Sequence, residues 1–159
     1  MIEDKKMPVA HDEGKKKQHP GRQQLKFRWL AGAYTIVRMD AEAAVPDWAT
    51  KGVFSSVTRS ADELSIVCPA ADLPANLSSE SHWICFQLEG PFPFSQTGVL
   101  LSFIAPLSNN GVPILAISTY DTDYVLLQEE FMGVAQQALG TAGHALISGD
   151  DESGRKLIE

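Results

Sequence analysis

The chain has 159 residues, the length of one ordinary domain or two very small ones, with 44% hydrophobic and 21% charged residues. Thirteen Lys and Arg against twenty Asp and Glu leave a net charge of −7. That balance excludes partners held by phosphate neutralisation and anionic membrane surfaces, since both need clustered cations. Two cysteines, Cys68 and Cys85, are too few for a disulfide scaffold or a thiolate zinc site, and fit a reducing, cytoplasmic setting.

Residues 1–24 are polar and charged, with Lys15-Lys16-Lys17 and a His19–Gly21 turn, and are expected to form a solvated, disordered tail. They hold no apolar leader stretch, so no secretory signal is expected. The longest apolar run, Gly98–Leu107, is about half of what a membrane-spanning helix needs. A first unit is expected over residues 25–79, a second over 80–149, and an acidic tail over 150–159.

Tyr34–Met39 alternates and is β-branched, which predicts a strand after an Ala-Gly turn. Val53–Arg59 and Leu64–Cys68 predict two strands around a polar turn at Ser60–Glu63, and Trp83–Leu88 predicts another. Val99, Leu100, Phe103, Ile104 and Leu107 share one helical face; Ser95 or Thr97 is the expected N-cap and Asn110-Gly111 the stop. Ile114–Ser118 and Tyr124–Leu127 predict a second hairpin. A second helix should bury Phe131, Val134, Ala135, Ala138 and Leu139, ending near Gly140–Gly143, before a strand at His144–Ile147. From Trp83 onward the order is β-α-β-β-α-β, the ferredoxin-like pattern. The two hairpins echo each other at an offset of 61, pairing Thr58 with Thr119 and Asp62 with Asp123. The first half lacks a match for the Val99–Leu107 helix, so it reads as a degenerate copy, with Trp48 covering its open face.

Thr97–Leu100, Pro106-Leu107, Gly111–Ile114 and above all Ile117–Leu126 resemble an ACT domain, of the type found in small bacterial tandem-ACT proteins and in CASTOR-type arginine sensors. Asp62–Pro69 resembles the first-module signature of the same bacterial proteins. The resemblance implies an α+β fold of two tandem βαββαβ modules, with antiparallel sheets and helices on one face. It also implies a regulatory protein that binds an amino acid at a module interface, pairs as a homodimer, and acts on a protein target the sequence does not name. No cofactor is implied. In the arginine sensors the acid at the position of Asp123 contacts the ligand, as does a Glu at the position of Gln96. Gln96 keeps the hydrogen-bonding capacity without the charge.

The residues themselves suit an α-amino acid. Gln96, Thr97 and Gly98 stand at a helix start, where backbone N–H groups and the helix dipole favour a carboxylate. Asp121 and Asp123 supply negative charge for an ammonium or guanidinium, with Ser118, Thr119 and Tyr120 beside them. Residues 60–154 contain no Lys or Arg, so any anionic group must meet backbone donors or residues of the first half. A neutral or basic zwitterion is therefore expected over an acidic one. Two other classes compete: an interaction module without ligand, and a small hydrolase drawn on Ser118, His144 and Asp121. No Gly-x-Ser-x-Gly elbow, P-loop or His-rich metal spacing supports the enzyme, so no catalysis is expected.

Overall fold

The computed structural model describes residues 23–77 and 82–147. The acidic segment 150–159, and all of the polar tail but Gln23 and Gln24, lie outside the described residues. Strand β1 (Lys26–Met39) is followed by a 3₁₀ turn at Asp47–Thr50, β2 (Ser56–Arg59), β3 (Leu64–Pro69) and 3₁₀ turns at Ala70–Asp72 and Ala75–Leu77. Then come β4 (Trp83–Leu88), helix α1 (Val99–Asn109), β5 (Leu115–Ser118), β6 (Asp123–Gln128), a 3₁₀ turn at Glu129–Phe131, helix α2 (Met132–Thr141) and β7 (Ala145–Ile147).

All seven strands form one sheet in the order β2-β3-β1-β4-β6-β5, with β7 parallel to the start of β1. The expected Ala-Gly turn is instead a register shift within β1, between Leu30 and Tyr34, with Gly32 at φ 82°. β1 is thereby long enough to serve both halves. Its first part lies between β7 and β4, and its last part pairs with β3. The expectation of two separate βαββαβ modules therefore holds only in part. The second half has the full element order, but β1 stands between β7 and β4. The first half, which lacks a match for the Val99–Leu107 helix as expected, has 3₁₀ turns among its described residues, and it shares the same sheet. That sheet curls like a barrel: residues of β2 and β3 line one groove together with Leu115–Ser118 of β5.

The helices cover one face. Phe27, Phe86 and Phe103 meet edge to face there, with centroids 5.0 and 5.1 Å from Phe27, over Leu107, Val125 and Leu139. Val99, Phe103 and Leu107 of α1 are buried and Leu100 and Ile104 pack against them, as the periodicity requires. In α2, Ala135, Ala138 and Leu139 are buried, but Val134 is exposed, because a helix this short turns only a narrow stripe to the sheet. The opposite face is filled by Tyr34, Phe54, Cys85 and Leu126, and Phe54 stacks on Tyr124 at 3.9 Å. Trp48 packs over Leu64, Ile66 and Cys68, covering the first half as expected.

Both helices end in the same way. Gly111 (φ 72°) and Gly143 (φ 86°) take the left-handed conformation, and the next residue's N–H reaches back: Val112 to Leu107 O, His144 to Leu139 O. Pro106 inside α1 has no N–H for the Ser102 carbonyl, and that carbonyl is instead 2.8 Å from His144 Nε2. His144 Nδ1 accepts from Leu25 N–H at 3.1 Å, so the ring carries its proton on Nε2.

Sequence repetition is matched in space at an offset of 59, not 61. β2, β3 and the Ala70–Asp72 turn fall on β5, β6 and the Glu129–Phe131 turn. Arg59 pairs with Leu64 as Ser118 pairs with Asp123, and Ser60 N–H bonds Glu63 O as Thr119 N–H bonds Thr122 O. Register is fixed by the turn, and similar residue types two places along misaligned the sequences. Among the described residues no helix is long and apolar enough to cross a membrane.

Candidate functional site

The β5–β6 turn, Thr119–Thr122, is stiffly made. Thr119 Oγ1 donates to Thr122 O at 2.9 Å, and the Thr122 hydroxyl, buried, donates to Leu88 O at 2.7 Å. Phe92 N–H donates to Asp121 O at 2.8 Å, tying the turn to the segment after β4. Gly90 allows this approach; a Cβ there would stand 2.8 Å from Asp121 O. At the turn's end the Ser118 hydroxyl donates to Asp123 Oδ1.

Across from the turn, α1 begins without a side-chain cap. Its N-cap is Gly98, left-handed at φ 77°, and not Ser95 or Thr97. The Pro93–Gln96 turn (Gln96 N–H to Pro93 O, 2.9 Å) precedes it, and Gly98 takes the left-handed conformation without the steric cost a side chain would bring. The Ser102 hydroxyl bonds the Gly98 carbonyl at 2.7 Å from within the first turn, fixing the cap. First-turn N–H groups of a helix have no intrahelical partner, and here no side chain of the N-cap meets them.

Between turn and helix start lies a cleft of about 300 Å³. Gln96, Gly98, Ser118, Thr119, Tyr120, Asp121 and Asp123 all line it, so the structure brings together seven of the eight residues singled out in sequence. Thr97 is the exception: it does not line the cleft, and its carbonyl accepts from Gln23 Nε2 at 2.7 Å. Gln23 also accepts from Gln96 Nε2 at 2.8 Å, so a residue assigned to the tail on composition positions the side chain beside it. Sequence reasoning also missed Thr122, Phe92 and Phe94. Phe94 meets Tyr120 edge to face at 5.2 Å on the exposed rim. The Pro-Phe-Pro-Phe run at 91–94 was the available signal: Phe92 packs against the core while Phe94 is left exposed beside the turn.

The hydrolase set is not assembled. Both ring nitrogens of His144 are engaged with backbone, and Ser118 is bonded to Asp123. Cys85 and Cys68 are buried, and burial raises both thiols above their ordinary range, which keeps them protonated and inert.

In the first hairpin the place of Ser118 is taken by Arg59. Its guanidinium donates to the carbonyls of Ala41 and Ala43 (2.7 Å to the latter), in the segment after β1. Arg38 meets Glu63 at 3.2 Å and the Asp62 carbonyl at 2.9 Å beside it. What is a cleft beside the second hairpin is thus crossed by cationic side chains of the chain itself beside the first.

The α+β fold is consistent with an ACT domain, and the family model for the ACT domain matches residues 78–141. A second family model, describing an N-terminal domain, matches residues 32–76. The chain is 42% identical to a crystallised protein from Agobacterium tumefaciens, covering 79% of this chain and 93% of that one, with a TM-score of 0.73. It belongs to one family with that protein, and the part of it that matches the ACT domain is the second half of the chain. A Vibrio cholerae protein of unknown function, described as a possible transport protein, shares the fold at 22% identity and a TM-score of 0.61, over 76% of this chain and 91% of that one. No curated protein matches the chain significantly. ACT domains are in general regulatory, small-molecule-binding and non-catalytic modules.

Proposed function

We propose that the protein is a non-catalytic sensor that binds an amino acid, neutral or basic, in the cleft between the Thr119–Thr122 turn and the start of α1. The carboxylate sits on the free N–H groups behind Gly98, and the cationic end sits on Asp121 and Asp123. The observation that carries the reading is the contrast between the two hairpins: where the second leaves a cleft, Arg59 spans the first and its guanidinium bonds loop carbonyls. A cation completes the first arrangement, and an exogenous cation is what the second would take. Among the described residues the cleft lining contains no Lys or Arg to oppose it.

The recurrence at offset 59 supports the first half as a degenerate ACT-like module, in a tandem arrangement related to the arginine sensors. Units are drawn at residues 25–79 and 80–149, with polar tails outside them. The protein works in the cytoplasm as a homodimer and passes the binding signal to a protein target.

A thermal-shift screen against the twenty amino acids, at fixed protein concentration, tests the proposal. At least one neutral or basic amino acid should raise Tm, Asp123→Ala should reduce the shift, and size-exclusion chromatography should still show a dimer. A shift undiminished in Asp123→Ala refutes the site; a stronger response to aspartate or glutamate refutes the ligand class.

A further inference from the structure

On the other side of the Asp121–Thr122 turn lies a second cleft, of about 380 Å³, whose polar lining includes Arg28, Gln87, Glu89, Gly90, Asp121 and Thr122. Arg28 belongs to β1, which stands directly beside β4 with Arg28 opposite Gln87. A guanidinium from the first half thereby faces carboxylates of a half that has no Lys or Arg of its own. Arg28 and Glu89 stand 3.7 Å apart, both about half exposed, which is longer than a charge-assisted hydrogen bond. Such a pair contributes little and is opened at little cost. The surrounding backbone, by contrast, is fixed: Glu89 N–H bonds Lys26 O at 2.8 Å, and the Asp121 turn is bonded to the segment after β4. Gln87 donates to the Tyr124 hydroxyl at 3.2 Å and keeps its carbonyl oxygen as an acceptor.

The geometry points to this cleft as a second small-molecule site, for a zwitterion with one carboxylate and one or more ammonium groups. The carboxylate takes the Arg28 guanidinium, and the ammonium takes Glu89 and Asp121 in exchange for the loose ion pair. One cation against two carboxylates favours a ligand of zero or positive charge. A dianion would meet only one partner and two like charges.

Amide spectra of the ¹⁵N-labelled full chain separate the two sites. L-alanine, L-serine and L-lysine are added in turn, with ethylamine and cadaverine as carboxylate-free counterparts of the first and third. At least one amino acid should move the Glu89 and Gly90 amides and the Arg28 Nε–H saturably, and the amines should not. Arg28→Gln should weaken that response roughly tenfold or more, the loss of one charged hydrogen-bonded partner. Glu89→Gln should weaken it from the ammonium side. Both variants should leave the Val99 and Leu100 amides responding as before, and Asp123→Ala should do the reverse. No movement at Glu89 and Gly90 with any of the three amino acids, an equal response to the amines, or an undiminished response in Arg28→Gln overturns the proposal. Movement at Gly90 with none at Val99 and Leu100 overturns the first cleft and leaves this one standing.

Discussion

Ser118 and Arg59 hold the same place in two hairpins, and the difference between them is the difference between an open cleft and a crossed one. A serine reaches only as far as Asp123; an arginine reaches the next segment and satisfies its carbonyls. The Ser118→Arg variant should therefore bring its own guanidinium to the Asp121–Asp123 edge of the cleft. Amino-acid binding there, followed by calorimetry, should fall by roughly an order of magnitude or more, the scale of one displaced charged contact. Tm without ligand should hold or rise. Unchanged affinity would mean that the ligand does not use this edge. At this scale the sequence was informative because short polar residues in a tight turn act locally: Ser118, Thr119, Asp121 and Asp123 face the cleft for reasons held within six residues. Gln23 was not legible, since its role depends on Gln96 and Thr97, more than seventy positions away.

At the scale of elements, glycines with opposite demands lie at the ends of the two helices. Gly111 is left-handed at φ 72° with open space around it, so Gly111→Ala meets no clash and pays only for the backbone, about 1 kcal/mol. Gly140 lies within α2, also with open space, and there alanine removes backbone freedom from the unfolded chain. Gly140→Ala should raise stability by roughly 0.5–1 kcal/mol. Urea titrations of the two variants should shift the midpoint in opposite directions with unchanged slope. The stop of α1 at Asn110-Gly111 was readable because a Gly after an apolar periodic run leaves few other conformations. Its start was not: Ser95 and Thr97 are good capping residues, yet a left-handed Gly98 turns the chain after both of them. In β1 the Ala-Gly pair gave a true local signal, a left-handed glycine, but pairing with β3, β4 and β7 kept the strand running through it.

For the whole molecule, the face of the sheet away from the helices holds titratable groups whose neutral form is favoured by burial. Burial pushes Tyr34 up from 10.0 to about 12, with Cys85 and Tyr124 adding to it, and raises Tyr124 and Cys85 there, as well as Cys68 under Trp48 on the other face. A raised acid binds its proton more tightly folded than unfolded, so stability is fully present below about pH 9. It falls as pH climbs through the unfolded values and on toward the folded ones. Denaturation midpoints should be flat from neutral pH to that point and then decline. Tyr34→Phe should make the decline between pH 10 and 12 shallower, and an equal slope in the variant would remove Tyr34 from the account. The thiols should stay unreactive toward alkylating agents while the fold is intact.

By itself the sequence determined the local things: strand and helix positions, the helix stops, the core stripes of α1, the family resemblance over the second half, and most of the side chains around the first cleft. Each depends on spacing within about a dozen residues, where sterics and periodicity act. Only the tertiary structure decided that two halves share one curled sheet, that β1 separates β7 from β4, and that the hairpins correspond at 59 positions. Those depend on pairings such as Leu25 with His144, 119 residues apart, which no local pattern encodes. The charge pattern shows the division most plainly. Composition says that residues 60–154 carry no Lys or Arg. The insertion of β1 is what sets Arg28 against Glu89, within one cleft of Asp121, and gives the acidic half the cation it lacks.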